Sequence, residues 1–280
     1  MGASAQLTSS SSDRVKSVKA LHSRAGRRKA GRFIVEGPQG VRSALSAGVV
    51  IHEMYVDDNA RAGIFDVIDE AYEAGVEIVT AMPHVLAAMG ETDHPQGVIA
   101  VCSLLDTFTL ADVLETAAPI VILDQVADPG NVGTIIRTAD AVGAAGVLLT
   151  PGCADIHNGK VVRATAGSLF HVPVVSDLPM ADIIAGVHDA GRALAVATGD
   201  GEEGLFEAAD SRMVCHRTCW VIGSEAHGVG HEAREAADIT VRIPMAEGIE
   251  SLNAGVSASV VLYVIAHAAR SGVFGPRGFR

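Results

Sequence analysis

Three polar loops in the C-terminal half of the chain carry side chains that could bind and orient a small molecule. They lie within residues 120–140, 220–230 and 243–263, and each adjoins a short apolar run. Polar residues follow the predicted strand ends in these loops: Asn131, Arg137, Glu225, Ser251 and Asn253. Ligand sites of open α/β sheets collect at the carboxyl ends of the strands. The pattern therefore predicts a small-molecule site.

The first loop combines a tight turn with the start of a helix. Pro129 and Gly130 favour the turn, and Asn131 is of a type that caps helix N-termini. Arg137 follows six residues later, and a rise of roughly 1.5 Å per residue brings its guanidinium within reach of the loop. A capped helix with a surface arginine explains the same residues. The glycines of this segment do not form the GxGxxG pattern, which disfavours a dinucleotide site.

The other two loops offer small polar groups. Glu225 can accept hydrogen bonds from a ligand or a neighbour. His227 and His231 have the spacing of a metal pair, but the glycines between them disfavour a rigid helix, so we predict no metal site. Ser251 is a candidate cap for the apolar helix that follows. That reading leaves Asn253, in the first turn of the same helix, unexplained.

The charge of the chain is unevenly distributed. Its formal net charge is −12, yet residues 1–42 carry +7 and the remainder carries −19. Such asymmetry predicts either a basic element that meets a polyanion such as RNA, or a solvated basic helix without a partner. The candidates for RNA binding are Arg24, Arg27, Arg28, Lys29 and Arg32.

Composition narrows the class of protein and its compartment. The four cysteines lack the paired spacing of a zinc site, so reduced thiols are expected. No apolar run reaches the length of a membrane span, and the N-terminus lacks the pattern of a secretory signal. We therefore predict a cytoplasmic protein that has no membrane partner.

Two series of alternating strands and helices organise the chain. Residues 1–12 are Ser-rich and predicted to be disordered, and a basic helix is predicted over residues 13–24. Residues 13–102 form a first α/β domain, 103–118 a linker and 119–280 a second domain. In the second, apolar runs without alternation indicate a parallel sheet that is buried on both faces.

Three motifs together resemble a known family. They are Asn131-x5-Arg137-Thr138-Ala139, then Ile222-Gly223-x-Glu225-x-x-Gly228, then Ile243-Pro244-Met245 followed by Ser251-Leu252-Asn253. Their order and spacing are similar to those of the SpoU (TrmH) family of RNA 2'-O-ribose methyltransferases in the SPOUT superfamily. The resemblance covers about residues 119–270. Residues 13–101 more loosely resemble the substrate-binding domain that many members carry.

The resemblance implies a fold, a cofactor and an assembly. The fold is a SPOUT-type α/β parallel sheet with a C-terminal trefoil knot, beside a smaller N-terminal α/β substrate-binding domain. The cofactor is S-adenosyl-L-methionine, and the protein is a homodimer with helix 251–270 as an interface candidate. By motif match, the residues that line the cofactor, largely through backbone groups, are Thr198, Gly199, Gly223, Ile243 and Leu252.

The implied reaction transfers a methyl group to a ribose 2'-hydroxyl of RNA. The family assigns removal of the hydroxyl proton to Arg137, although arginine side chains stay protonated in proteins. Our hypothesis is that Arg137 holds the nearby phosphate and lowers the pKa of the hydroxyl. Asn131, Glu225, Ser251 and Asn253 then position Arg137, the ribose and the cofactor.

Three functions remain open at this point. The first is methylation of ribosomal RNA, with transfer RNA as the other substrate that shares these motifs. The second is a non-catalytic RNA-binding member of the fold, and the third is a different α/β enzyme that binds a nucleotide. Lys160 and Arg163 either extend the RNA surface or belong to a solvated helix face.

Overall fold

The computed structural model describes residues 6–59, 62–92, 95–105, 108–249 and 251–270 of the chain. It divides into two compact units. The first unit comprises residues 1–106 and 155–171, and the second comprises residues 107–154 and 172–280. The domain boundaries that we predicted from sequence remain predictions. The packing adds one feature to them, because residues 155–171 belong to the first unit although they lie within the second predicted domain.

The first unit is built on a four-stranded sheet in the order β1-β4-β2-β3. Strand β4 is antiparallel to β1 and β2, and β3 is parallel to β2. Its elements are α1 (Asp13–Ala20), α2 (Arg24–Ala30), β1 (Arg32–Glu36), α3 (Pro38–Ser46), β2 (Ile51–Asp57), α4 (Phe65–Glu73), β3 (Glu77–Ala81), α5 (Pro83–Met89), β4 (Val98–Ser103) and, from the later segment, α8 (Gly159–Thr165).

The N-terminal segment differs from the prediction in two respects. Leu7 pairs with the edge strand β3, donating to Thr80 and accepting from Met82, so disorder does not extend over this residue. Residues 1–5 of the predicted disordered tail lie outside the described residues. The helix predicted over 13–24 ends at Ala20, and α2 begins at Arg24, where Ser23 caps it by accepting from the Gly26 N–H. A Cβ at Gly26 would lie 1.8 Å from the carbonyl oxygen of Ala20, so only glycine fits this close turn.

The second unit is built on a seven-stranded sheet in the order β7-β6-β5-β10-β8-β11-β9, and all of its strand pairs are parallel. Its elements are α6 (Leu110–Leu114), β5 (Ile120–Asp124), α7 (Pro129–Val142), β6 (Gly146–Leu149), β7 (Val174–Val175), α9 (Met180–Asp189), β8 (Leu194–Ala197), β9 (Glu203–Gly204), α10 (Leu205–Asp210), β10 (Cys219–Gly223), α11 (His231–Glu235), β11 (Ile239–Arg242) and α12 (Ala254–Arg270).

Both faces of this parallel sheet are covered by helices. In strand β10, Cys219 and Val221 pack into one apolar cluster with Ile183 of α9. Trp220, between them, packs into the opposite cluster with Val261 of α12. Successive side chains of a strand point to opposite faces, which explains why the sequence of this strand is apolar without alternation.

The predicted linker contains a helix that the sequence analysis did not identify. Thr109 and Asp112 form a capping box at the start of α6, in which each side chain bonds to the backbone of the other. Val113 of this helix is fully buried against the second sheet. Among the residues that the structure describes, no helix is both long and apolar enough to cross a membrane.

Candidate functional site

A cavity of about 230 Å³ lies in the second unit at the carboxyl ends of β8, β10 and β11. The five residues that we predicted to line a cofactor site all lie on its wall: Thr198, Gly199, Gly223, Ile243 and Leu252. Two of the predicted catalytic residues, Glu225 and Ser251, line it as well. The second and third motifs therefore meet at one site, because parallel strands place their carboxyl ends at the same edge of the sheet.

The loop after β10 is closely packed at Gly223. A Cβ at Gly223 would lie 2.1 to 2.3 Å from backbone atoms of Gly228 and Val229. The loop folds back on itself there, and the Gly228 N–H donates to the carbonyl of Ser224 at 2.8 Å. Glycine at position 223 is thus required by this close backbone approach.

A buried carboxylate fixes the far end of the same loop. Asp124, at the end of β5, is 5% exposed and accepts from the Gly230 N–H at 2.7 Å. Its other oxygen accepts from the hydroxyl of Thr150, which itself accepts from the Gln125 N–H. Asp124 was not among the predicted site residues. Its position directly after an apolar strand, like that of the other polar residues, was the available signal.

The loop after β8 is held by a small polar cluster. The Thr198 hydroxyl donates to Asp200 at 2.7 Å, and Arg234 donates to both residues. The hydrogen bonds from Thr198 and Arg234 lower the pKa of the Asp200 carboxyl. These contacts hold the backbone of Thr198 and Gly199 at the cavity wall.

The first motif meets the second through one side-chain contact. The amide of Asn131, which is buried, donates to the carboxylate of Glu225. Asn131 is not the helix cap that we predicted. Asp128 is the N-cap of α7 and accepts from the Asn131 N–H at 2.8 Å, so Pro129 occupies the first turn. The missed signal was an aspartate directly before proline, a combination favoured at helix starts.

The third motif ends at a helix cap, and the cap is Asn253 rather than Ser251. The Asn253 side chain accepts from the Val256 N–H at 3.2 Å at the start of α12. Helix α12 crosses α7 at Gly255, whose ideal Cβ would lie 3.3 Å from Asn131 Oδ1. Asn253 therefore sets the start of the helix that packs beside Asn131.

Arg137 is exposed on α7 and makes no hydrogen bond or ion pair with any residue that the structure describes. Asn131 and Arg137 are six positions apart, which is about 120° around a helix. The structure therefore does not bring Asn131, Glu225, Ser251 and Asn253 into contact with Arg137. Their predicted role in positioning its side chain is not visible here.

One of the five predicted RNA-binding residues is structural instead. Arg27 is 3% exposed, donates to the carbonyl oxygens of Leu21 and His22, and pairs with Asp155 at 2.5 Å. The prediction for Arg27 is wrong because these buried contacts occupy its guanidinium group.

The remaining basic candidates stay at the surface of the first unit. Arg24, Arg28 and Lys29 are exposed, and Arg32 is partly exposed at the start of β1. Lys160 is exposed too, whereas Arg163 pairs with Glu36 at 2.6 Å and so is not an ordinary solvated residue. Across the described ranges, no three His, Cys, Asp or Glu side chains are placed to hold a metal ion.

The cavity has the composition that S-adenosyl-L-methionine requires. Apolar walls from Ile222, Val229 and Leu252 suit an adenine ring, while Thr198 and Glu225 offer polar contacts to hydroxyl and ammonium groups. The residues present therefore fit this cofactor.

Comparisons with known proteins give the same result over most of the chain. The model of the SpoU rRNA Methylase family matches residues 118–263, and that of the MRM3-like substrate binding domain matches residues 12–100. The 23S rRNA (guanosine(2553)-2'-O)-methyltransferase RlmP of Bacillus subtilis is 33% identical over 92% of this chain and 98% of its own length.

A second relative, from Streptomyces viridochromogenes, links sequence and structure. The 23S rRNA (uridine(2479)-2'-O)-methyltransferase of that organism is 32% identical over 87% of this chain and 85% of its own length. Among solved structures, the SpoU methyltransferase AviRb from the same organism, in complex with AdoMet, is similar with a TM-score of 0.81. The sequences are 29% identical, and the match covers 93% of this chain and 99% of that one.

Proposed function

Because the chain belongs to the SpoU rRNA methylase family, we propose that it methylates a ribose 2'-hydroxyl of large-subunit ribosomal RNA with S-adenosyl-L-methionine. The observation that carries the proposal is the cavity at the strand ends, which the second and third motifs line together. The two 23S rRNA methyltransferases among its relatives support the choice of ribosomal over transfer RNA.

The residues of this chain bind and orient the reactants. When bound, S-adenosyl-L-methionine supplies a methyl group that its sulfonium makes electrophilic. The walls of the cavity hold the cofactor, with Gly223 and Asp124 fixing the loop that closes on it. Arg137 is exposed and without a partner in the described part of the chain, so it is available to a phosphate of the RNA. That contact would place the ribose hydroxyl in line with the methyl group.

The experiment is transfer of tritiated methyl groups to 23S ribosomal RNA, with transfer RNA as the parallel acceptor and mapping of the modified ribose by mass spectrometry. We expect one 2'-O-methylated nucleotide in the ribosomal RNA. Methylation of transfer RNA alone would contradict the substrate. Binding of S-adenosylhomocysteine and RNA without methyl transfer to either acceptor would favour a non-catalytic RNA-binding member.

We further propose that the protein is a homodimer that uses α12. Val256 and Tyr263 of this helix are 48% and 57% exposed and lie two turns apart on the same face. Val260 and Val264, on the same helix, are only partly buried. Covering this apolar surface with a second copy of α12 would remove it from water.

We also propose a cytoplasmic location and the C-terminal trefoil knot of the family. A ribosomal RNA substrate supports the location, as do the four cysteines, all of which are free. The similarity to AviRb over nearly the whole chain supports the knot. Fractionation with a tagged chain and crystallography would test these two proposals.

A further inference from the structure

A second cavity, of about 240 Å³, is formed entirely by residues of the first unit. It lies where β1 ends and α3 begins, and the segment before β4 and helix α8 complete its wall. Its volume is similar to that of the cavity assigned to S-adenosyl-L-methionine, so a nucleobase, which is smaller than that cofactor, fits within it. Its lining includes Glu36, Gly37, Gln39, Gly40, Gln96 and Arg163.

Two backbone donors face no acceptor at this cavity. Helix α3 begins after Gly37 without a side-chain cap. The N–H groups of Gln39 and Gly40, in the first turn, make no hydrogen bond with a residue that the structure describes. The first turn of any helix leaves such donors unused unless a cap or a ligand accepts from them.

Two side-chain amides lie at the same end of the cavity. Gln39 and Gln96 are exposed, and neither amide is hydrogen-bonded to any described side chain or backbone group. An ideal Cβ at Gly37 would lie 2.6 Å from Gln96 Oε1, which places the Gln96 amide against the start of α3. Each amide presents a donor beside an acceptor, the arrangement that pairs with the edge of a nucleobase.

The wall of the cavity includes a buried carboxylate, that of Glu36. The Glu36 side chain is 8% exposed and accepts from Arg163 at 2.6 Å, from the Glu91 N–H at 3.1 Å and from the Thr92 hydroxyl at 3.3 Å. Arg163 also lies 3.6 Å from the carboxylate of Glu91, so one guanidinium pairs with two carboxylates. The remaining negative charge disfavours a phosphate at this position and favours an uncharged occupant.

We propose that this cavity binds one unpaired nucleobase of the RNA substrate. Unpaired bases expose both a face and hydrogen-bonding edges, and proteins that select RNA sequences use mainly such bases. The amides of Gln39 and Gln96 and the N–H groups of α3 read the edge of the base. The inference rests on the proposed function, because it assumes that the ligand is RNA.

The test uses the full-length protein and the double variant Gln39→Ala/Gln96→Ala. The matched control is Gln6→Ala, which removes another exposed amide of the same unit that bonds to Asp58 instead. Fluorescence anisotropy measures binding of single-stranded homopolymers of A, C, G and U, about ten nucleotides long, and of a duplex of equal length. We expect the double variant to lose at least about tenfold in affinity for the preferred homopolymer, since each base contact contributes on that scale.

Binding of the duplex and of S-adenosylhomocysteine should be unchanged in the double variant. Unchanged affinity for every homopolymer, or equal loss for the duplex, would overturn the inference. Transfer of methyl groups to 23S ribosomal RNA by the unaltered protein separates this result from the proposed function. If the unaltered protein transfers methyl groups and the double variant raises KM without changing kcat, the proposed function and the base-binding cavity are both supported. If transfer is normal and the double variant has no effect, the base-binding cavity is wrong and the proposed function stands.

Discussion

Arg137 has an exposed guanidinium that no residue in the described part of the chain holds. Asn131 and Glu225 bond to each other, and Asn253 caps a helix. A guanidinium that is exposed and unengaged loses no internal contact when it binds a phosphate. We therefore expect Arg137 to bind the substrate, whereas the contacts of Asn131 and Asn253 lie within the protein, around the cavity.

Replacing Arg137 with lysine keeps the charge and removes the planar fork that binds a phosphate through two hydrogen bonds. We expect at least about a hundredfold loss of methyl transfer, the order attributed to one lost stabilising donor. Binding of S-adenosylhomocysteine should not change. The control is Arg212→Lys, at another exposed arginine of the second unit. Near-normal turnover of the Arg137 variant would exclude the role that we assign to it.

Arg27 and Arg28 are neighbours in sequence with opposite expected phenotypes. Arg27→Met breaks a buried ion pair, so we expect it to lower the free energy of unfolding by about 3–5 kcal/mol. Arg28→Ala should leave stability unchanged and weaken RNA binding. The salt dependence of the RNA-binding constant should also fall, by about the amount that one phosphate contact contributes. Thermal unfolding and RNA titrations at several salt concentrations measure both effects. A stable Arg27 variant with impaired RNA binding would reverse the assignment.

Asp155 makes the stability of the first unit sensitive to acid. Burial acts to raise the pKa of its carboxyl, but hydrogen bonds from His157 and Arg27 outweigh burial and hold the pKa below its usual range. A depressed pKa stabilises the fold above the unfolded value of about 3.9, and this contribution is lost as the pH falls below it. We expect Asp155→Asn to lower stability at pH 7. The variant should also lose less stability than the unaltered protein between about pH 4 and pH 2. An unchanged acid dependence would contradict this account.

At the scale of elements, the loop after β10 is fixed at both ends. Gly223 permits the backbone approach to Gly228, and Asp124 accepts from Gly230. This arrangement explains how a loop that contains several glycines can present a defined wall to a cofactor. Both contacts lie within the protein, so they restrict the loop and lower the entropic cost of binding.

We expect Gly223→Ala to abolish measurable binding of S-adenosylhomocysteine, because the added methyl group would lie 2.1 to 2.3 Å from loop backbone. Gly63→Ala is the matched control, since a Cβ there meets nothing within 4 Å. Isothermal titration calorimetry measures the affinity, and circular dichroism checks the fold. Retained affinity in a folded Gly223 variant would show that the loop is not set by this contact.

Sequence patterns predicted the buried strands better than the short helices. Strands β5 and β10 lie in continuous apolar runs, the pattern from which the sequence predicts a parallel sheet buried on both faces. Helices α6, α10 and α11 have five or six residues each, which is too short to show a helical period. Such helices form because tertiary packing holds them, and packing partners distant in sequence cannot be seen in a local pattern.

The candidate site was likewise predicted only in part. The motifs identified the walls of the cavity, because strand ends in a parallel sheet must share an edge. The role of Asp124 depends on Gly230, 106 positions later, and the burial of Arg27 depends on Asp155, 128 positions later. No spacing rule relates residues that far apart, so these two contacts required the structure.

At the scale of the whole molecule, the exposed face of α12 determines the assembly that we propose. Val256→Glu/Tyr263→Glu places two charges on this face, so we expect a monomer where the unaltered protein is a dimer. Met213→Glu, at another exposed apolar residue of the second unit, is the control and should remain dimeric. Light scattering after size-exclusion chromatography gives the mass of each. A monomeric unaltered protein would refute the proposed assembly.

The return of residues 155–171 to the first unit has a consequence for how the protein is made. In the folded protein, Arg27 pairs with Asp155 and Glu36 pairs with Arg163. When the ribosome has released residues 1–106, Asp155 and Arg163 have not yet been synthesised. We therefore expect the N-terminal unit to mature only after part of the next one has been translated, contrary to the usual domain-by-domain order. A nascent chain stalled at residue 110 should be protease-sensitive, and one stalled beyond residue 210 should have become resistant.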